Sequence, residues 1–121
     1  LPSVPGGTHW GGGMRIGAED QALVGRLVLN DGVWAGRRIL PEGWVKQSLA
    51  PCPLNPSYGF LWWLNGAGRW PGAPADSVFA MGAGGNVTWM WPGADVVAVL
   101  RWVNPDKVGA FCGMVVRALA R

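Results

Sequence analysis

Two short apolar segments separated by a turn constrain the fold of this chain more than any other feature. Residues 87–91 and 96–103 are rich in valine and tryptophan and are shorter than an average helix. Between them lies the sequence Pro92-Gly93-Ala94-Asp95, whose residue types favour a tight reversal of the chain. The two segments therefore predict an antiparallel hairpin, and a fold for this chain has to include an antiparallel sheet.

Further strands are predicted on the N-terminal side of this hairpin. The aromatic segment at residues 58–64 predicts a buried strand that ends at the turn signal Asn65-Gly66. Residues 78–81 predict another short strand, and the glycine cluster at residues 82–85 follows it. A short turn or hairpin is predicted at residues 32–39. Together these segments indicate a meander of three or four strands.

Two helices are predicted before the sheet. Glu19 and Asp20 favour the first turn of a helix, where acidic side chains meet the positive end of the helix dipole, and Asn30-Asp31-Gly32 ends it. Pro41 suits the first position of a second, shorter helix, and Pro51 ends that helix. The chain therefore begins with helices and continues with strands.

The last segment carries the clearest helical pattern in the chain. Apolar residues recur at helical spacing from Val108 to Leu119, and this stripe is expected to cover one face of the sheet. Helices followed by a run of strands and a closing helix predict an α+β fold, with an antiparallel sheet of three or more strands flanked by helices.

Composition excludes several classes of protein. Half of the residues are hydrophobic and 14% are charged, which is typical of a folded domain. No apolar run reaches the length of about 18 residues that a membrane span needs. The net charge is +3, but the basic residues are scattered, with Arg37-Arg38 the only adjacent pair. We therefore expect neither a membrane span nor a nucleic-acid partner.

The chain holds few residues that could perform catalysis. His9 is the only histidine, and no serine lies in a Gly-x-Ser-x-Gly or a Ser-x-x-Lys sequence. Neither a metal site nor a cofactor is expected, because histidine pairs and cysteine clusters are missing. Cys112 lies on the apolar stripe and is predicted to be a buried thiol, whereas Cys52 lies in a proline-rich loop. A disulfide between them stays open, since it depends on geometry.

Glycine and tryptophan each allow a structural and a functional interpretation. The glycine cluster is either a tight turn between strands or a place where the backbone comes close to a ligand. The nine tryptophans are either core residues or an aromatic platform for an apolar or sugar-like ligand. A non-catalytic, tryptophan-rich binding module is therefore the alternative to an enzyme.

Several stretches, taken in order, resemble the serine β-lactamase-like hydrolases. This family includes class C β-lactamases, D-alanyl-D-alanine carboxypeptidases, esterases and aminohexanoate-oligomer hydrolases. The matching stretches are Gly11–Asp20, Leu27–Trp34, Arg38–Val45, Tyr58–Trp63, Phe79–Gly85, Trp89–Pro92 and Asp95–Val99.

The resemblance implies that residues 1–121 are the C-terminal segment of such a hydrolase domain. The family acts by acyl transfer on ester, amide or β-lactam-like carbonyls, with a Ser-x-x-Lys nucleophile and a Tyr-x-Asn motif. Both motifs are absent here, since the only tyrosine, Tyr58, is followed by Gly-Phe. The resemblance thus implies an inactive chain that completes a site with the missing N-terminal part of the domain and a small-molecule substrate.

The family's third motif, Lys/His-x-Gly on a strand, is expected within this chain. One register places it at Ala80-Met81-Gly82, with Met81, Gly82 and Ala83 at the catalytic centre and the Ala83 N–H in the oxyanion hole. The other register is Ala83-Gly84-Gly85, with the N–H of Asn86 in that role; Gly84, Gly85 and Asn86 are assigned to substrate binding. Both registers place alanine where the family commonly has a cationic or polar side chain, which argues against β-lactam hydrolysis.

Overall fold

A computed structural model of the chain describes residues 15–120. His9 and residues 11–14 of the glycine stretch at residues 11–20 lie outside the described residues. Among the helices of this part of the chain, none has the length and apolar character that crossing a membrane requires.

Three α-helices and two antiparallel sheets make up the described residues, which confirms the predicted α+β class. A two-stranded ribbon pairs β1 with β2, and a four-stranded sheet has the order β3-β4-β5-β6. The elements are α1 (Ala18–Leu29), β1 (Val33–Trp34), β2 (Arg37–Arg38), α2 (Trp44–Ser48), β3 (Trp63–Leu64), β4 (Val78–Gly82), β5 (Asn86–Trp91), β6 (Val96–Leu100) and α3 (Val108–Leu119).

The central strand, β5, has a buried residue on both faces of the sheet. Trp89 pairs with Phe79 of β4 and with Ala98 of β6, and it belongs to a core cluster that includes Val108 and Cys112 of α3. Successive side chains of a strand alternate between faces. The next residue, Met90, accordingly belongs to a second cluster on the other face.

Helix α1 covers that second face, which the sequence pattern left without an assigned cover. A Cβ atom on Gly25 would lie 2.8 Å from the Val97 side chain and 3.4 Å from that of Met90, so the helix backbone lies close against the sheet. Val28 of α1 completes this contact within the second cluster. The sheet is thus a middle layer between α1 and α3.

The second helix is shorter than predicted and begins later. Pro41 is not its first residue: the Trp44 N–H donates to the Pro41 carbonyl in a turn, and Gly43 adopts a left-handed φ of 77°. Helix α2 therefore starts at Trp44, which is 43% exposed although the sequence pattern predicts that Trp44, Val45 and Leu49 form the apolar face of this helix. Only Val45 of that predicted face is buried within the helix.

The prediction of a strand over residues 58–64 is wrong for most of that segment. The Gly59 N–H donates to the Trp62 carbonyl at 2.8 Å, which closes a tight turn, and only Trp63–Leu64 forms a strand. Leu61 lies in this turn with a φ of 64° and is 81% exposed. An unbroken apolar run indicated burial, but the backbone reversal places its middle at the surface.

The loop between β3 and β4 is organised by one buried side chain. Asn65 is 2% exposed, and its Nδ2 donates to the carbonyls of Trp70, Ala73 and Pro74 at 3.0–3.3 Å. Its Oδ1 accepts a hydrogen bond of 2.8 Å from the Trp70 N–H. Buried backbone polar groups need hydrogen-bond partners. In this loop, which has no regular secondary structure, the Asn65 side chain provides them.

The same loop lies directly against α3. A Cβ on Gly72 would come within 2.7 Å of the Gly109 carbonyl oxygen and 3.9 Å of the Gly113 Cα. Glycines on both sides allow this close approach of two backbones. The loop therefore has a fixed position relative to the helix that covers the first face of the sheet.

Replacing Asn65 with leucine is expected to destabilise the protein by about 3 kcal/mol or more. Leucine has a similar size, but it removes all four hydrogen bonds of the side chain and leaves the Trp70 N–H and the Ala73 carbonyl without a partner, and each such group costs about 1–3 kcal/mol. Chemical denaturation measures the change. Asn30→Ala is the control, because the exposed Asn30 side chain makes a single hydrogen bond, and its loss should cost less than about 1 kcal/mol. Equal losses for the two variants would contradict the role of Asn65.

Both cysteines are free thiols, so the disulfide that the sequence left open is not formed. Cys112 is fully buried in the α3 core cluster, as the apolar stripe predicted. Burial raises the pKa of the Cys112 thiol to about 12 from its ordinary value of 9.0, because an apolar surrounding disfavours the thiolate.

This pKa predicts that a thiol reagent at pH 8 modifies Cys52 and leaves Cys112 intact until the protein unfolds. The folded state keeps the Cys112 proton while the unfolded state loses it, so the free energy of unfolding should fall as the pH rises from about 9 to about 12. A Cys52→Ser variant should show no native thiol reactivity. Two thiols reacting at the same rate in the folded protein would contradict the burial of Cys112.

Candidate active site

The hairpin between β4 and β5 brings together all six residues that the sequence singled out. Gly82 ends β4 and pairs with Asn86 at the start of β5, and Met81 pairs with Val87. The intervening residues, 83–85, form the turn, in which Gly84 and Gly85 have positive φ values of 78° and 69°. The glycine cluster is therefore a turn between strands, with its exposed residues 82–84 at the tip.

The turn is held in place by the chain that follows β6. That strand ends at Leu100 and not at Val103 as predicted, because Trp102 adopts a φ of 58° and redirects the backbone. The Val103 N–H then donates to the Gly85 carbonyl at 3.1 Å. Gly85 is buried against Val103, and a Cβ at this position would collide with the Val103 carbonyl oxygen.

The N–H of Ala83 differs from that of Asn86 in its surroundings. Ala83 lies beyond the last pair of the β-ladder and is exposed, and within residues 15–120 its N–H donates no hydrogen bond. Asn86 is part of the ladder, and its side-chain Nδ2 donates to the Ala83 carbonyl at 3.0 Å. The N–H groups of Gly84 and Gly85 likewise have no acceptor among residues 15–120, so the turn offers backbone donors that begin at Ala83, next to Gly82.

A groove of about 720 Å³ lies beside the end of β4, and we call it the β4 groove. A Cβ added to Gly82 would meet no atom of the described residues within 4 Å, so packing does not require glycine there. The absence of a side chain leaves the groove open next to the turn. The other lining residues come from β3, β4, the loop between them and the segment that leads into α3, and they include Trp63, Arg69, Trp70, Met81, Asp106 and Ala110.

Arg69 is the basic residue of this groove, and it was not among the residues predicted from the sequence. Its guanidinium carbon lies 4.5 Å from the centroid of the Trp63 ring and 5.2 Å from that of the Trp70 ring. Such a cation–π arrangement holds a cation against aromatic faces. The signal in the sequence was only the neighbouring Trp70, since Trp63 approaches through the fold of the loop.

The tryptophans serve mainly in packing. Trp89 is fully buried and Trp70 is 9% exposed, and both belong to the core cluster beneath α3. Three more exposed tryptophans, Trp34, Trp44 and Trp102, lie on different parts of the chain, and no ring pair of residues 15–120 joins any two of them. The platform that a tryptophan-rich binding module requires is not formed by these residues.

The described serines are committed to structural hydrogen bonds or lie inside the fold. The Ser48 hydroxyl donates to the Val45 carbonyl at 3.0 Å, and the Ser77 hydroxyl accepts from the Trp89 indole N–H at 3.0 Å. Ser57 is also buried. The arrangement can therefore bind a ligand and stabilise negative charge with a backbone donor, whereas a nucleophile with a base is not found within residues 15–120.

Comparison with known proteins shows a similarity to a hydrolase. No protein-family model matches the chain. The chain is 31% identical over 110 residues to a 6-aminohexanoate-dimer hydrolase of Paenarthrobacter ureafaciens, an alignment that covers 78% of this chain and 26% of the relative. The chain thus spans about a quarter of the length of that relative, and the similarity supports a relation to hydrolases.

The buried glycine of the turn predicts a difference between two glycine-to-alanine variants. Gly36 and Gly85 have positive φ values of 75° and 69°, but a Cβ on Gly36 meets no atom within 4 Å. Gly36→Ala should cost about 1–2 kcal/mol of stability from backbone strain alone. Gly85→Ala adds the collision with Val103 and should cost about 1–3 kcal/mol more. Thermal denaturation compares them, and equal losses would show that Val103 does not fix the turn.

Proposed function

We propose that this chain supplies the oxyanion-stabilising hairpin of a serine hydrolase that cleaves amide or ester bonds by acyl transfer. The observation that carries the proposal is the N–H of Ala83, which has no acceptor among residues 15–120 and lies in a fixed turn beside the open groove at Gly82. The similarity to a hydrolase over 78% of the chain supports the same assignment.

In the proposed reaction, a serine hydroxyl attacks the carbonyl carbon of the substrate and the carbonyl oxygen becomes negatively charged. The Ala83 N–H donates a hydrogen bond to that oxygen, which stabilises the tetrahedral intermediate. Gly82 lets the acyl group approach β4 without a Cβ in the way, and Met81 lines the groove next to it. Collapse of the intermediate expels the amine or alcohol, and water then releases the acid.

The turn residues that follow have supporting roles in this proposal. Gly84 and Gly85 allow the left-handed backbone that projects Ala83 to the surface, and the Asn86 side chain fixes the Ala83 carbonyl. A backbone donor that is already in position loses no free energy to reorganisation during the reaction. The pair Gly82 and Ala83 is therefore assigned to the catalytic centre, with Gly84, Gly85 and Asn86 beside the substrate.

The nucleophile and the proton-transferring groups are proposed to lie outside this chain. The chain contains neither Ser-x-x-Lys nor Tyr-x-Asn, and its described serines are structural. Residues 1–121 are accordingly proposed to be the C-terminal segment of a β-lactamase-like domain, whose remainder is the partner that completes the site. A nucleotide, a nucleic acid or a cofactor has no part in this chemistry.

The substrate class is proposed to be a small linear amide or ester. The relative is named for a dimer of 6-aminohexanoate, in which an amide joins two flexible chains. A groove with aromatic and methionine side chains suits such a chain, because these surfaces bury apolar methylene groups. The alanines at positions 80 and 83 do not offer the cation that would favour a β-lactam carboxylate at this strand.

The proposal is tested with the complete open reading frame that contains this chain. Hydrolysis of a p-nitrophenyl ester and of a 6-aminohexanoate dimer should be detected there, and the 121-residue chain alone should give none. Ala83→Pro removes the donor and should lower kcat roughly 100- to 1000-fold, about 3–4 kcal/mol. Ala83→Gly keeps the N–H and is the matched control, which should retain most of the activity.

A separate variant tests the alternative position of the oxyanion hole, at the N–H of Asn86. If Asn86→Pro abolishes acylation while Ala83→Pro retains full activity with an unchanged circular dichroism spectrum, the hole lies at Asn86. Turnover by the purified 121-residue chain that survives repeated purification would overturn the assignment of the nucleophile to another part of the protein.

A further inference from the structure

We propose that Arg69 binds a carboxylate group of the substrate in the β4 groove and so determines which amides or esters the enzyme accepts. This inference rests on the proposed function and adds a residue and a substrate class to it. The substrate is then a linear amide or ester that carries a carboxylate on an apolar chain.

The guanidinium of Arg69 lies beside two indole rings and forms no hydrogen bond within residues 15–120. Its central carbon is 4.5 Å from the centroid of the Trp63 ring and 5.2 Å from that of the Trp70 ring. Its N–H groups point outward in the plane of the guanidinium, and none of them donates to another residue in the range 15–120. Two parallel N–H groups in this fixed fork match the two oxygens of a carboxylate.

Arg26 provides a comparison within the same protein, because its guanidinium is engaged in a structural ion pair. Its guanidinium forms an ion pair of 2.7 Å with Asp95 and a second hydrogen bond of 3.3 Å to that carboxylate. Those two bonds occupy the bidentate edge that Arg69 leaves unused. With respect to residues 15–120, the N–H groups of Arg69 therefore remain available to a ligand in the groove, whereas Arg26 connects α1 to the β5–β6 turn.

The loop that carries Arg69 is well fixed, so its position is defined before a ligand arrives. The next residue, Trp70, has its N–H and its carbonyl bonded to the Asn65 side chain. Gly72 lies against the backbone of α3 at Gly109. Side chains that are fixed in advance lose less conformational entropy on binding, which favours specific recognition.

The remaining lining residues define what is attached to the carboxylate. Trp63, Trp70 and Met81 supply apolar and aromatic surface between Arg69 and the turn at Gly82. Asp106 lines the same groove and forms no ion pair within the described residues, so it repels a second anionic group. The lining thus selects a ligand with one carboxylate and an apolar chain, in preference to a dianion such as a phosphate ester.

Binding of sodium hexanoate to the 121-residue chain tests this site without requiring catalysis. Hexanamide has the same apolar chain and no charge, and it is the matched ligand control. The indole N–H signals of the tryptophans in a ¹H–¹⁵N spectrum report binding, and hexanoate should bind at least tenfold more tightly than hexanamide. Arg69→Gln should abolish this preference, because the neutral amide cannot form the charge-assisted pair.

Three further variants separate recognition by the fork from general electrostatic attraction and from loss of folding. Arg37→Gln removes the same charge from an exposed strand outside the groove and should leave binding unchanged. Arg69→Lys keeps the charge and should recover only part of the preference, since an ammonium group lacks the planar fork. Asp106→Asn should retain or strengthen hexanoate binding, because it removes a negative charge.

The inference is overturned if hexanoate and hexanamide bind equally, or if Arg37→Gln weakens hexanoate binding as much as Arg69→Gln does. If Arg69→Gln fails to fold, equal binding by Arg69→Lys and the unmodified chain overturns the bidentate fork. In the complete enzyme, Arg69→Gln should raise the KM for a carboxylate-bearing amide at least tenfold. The KM for a neutral ester should not change. Hydrolysis with no such KM effect would support the proposed function and contradict the carboxylate site. Hexanoate binding by Arg69 without any hydrolysis by the complete enzyme would support the carboxylate site and contradict the proposed function.

Discussion

The hydrogen bonds of one buried amide, that of Asn65, fix the region on which the candidate site depends. This side chain satisfies backbone groups at Trp70, Ala73 and Pro74 in a loop that has no regular structure of its own. The loop in turn presents Trp70 to the core and Arg69 to the groove. Because the loss of Asn65 would leave the Trp70 N–H and the Ala73 carbonyl unpaired, this side chain holds the loop in one conformation.

The packing of the sheet also fixes the position of the β4–β5 turn. Its two faces are covered by α1 and α3, and the central residues Trp89 and Met90 are both fully buried. Strands that are packed on both sides have little freedom, so the β4–β5 hairpin keeps its register up to the pair formed by Gly82 and Asn86. The contact of Gly85 with Val103 then fixes the tip of the hairpin, where an exposed backbone donor is most useful.

Much of the architecture was predictable because it follows from local periodicity. The apolar spacing of α3, the signals that end α1 and the turn at residues 92–95 all indicated the elements that are observed. The errors arose where tertiary contacts override local preference. An apolar segment indicated a strand at residues 58–62, but the Gly59 backbone lies against that of α2, and the chain turns there and leaves Leu61 in solvent.

The sequence by itself determined the α+β class, the antiparallel hairpin of β5 and β6, the buried thiol of Cys112 and the glycine turn around residues 82–85, since each depends on residues close together in the chain. It also marked Met81, Gly82 and Ala83 as candidates through resemblance. Only the tertiary structure decided that α1 covers the second face of the sheet and that Val103 holds the turn. It alone placed Arg69 beside Trp63 in a groove next to Gly82, because this groove joins the β3–β4 loop, the end of β4 and the segment before α3, which are distant in the chain.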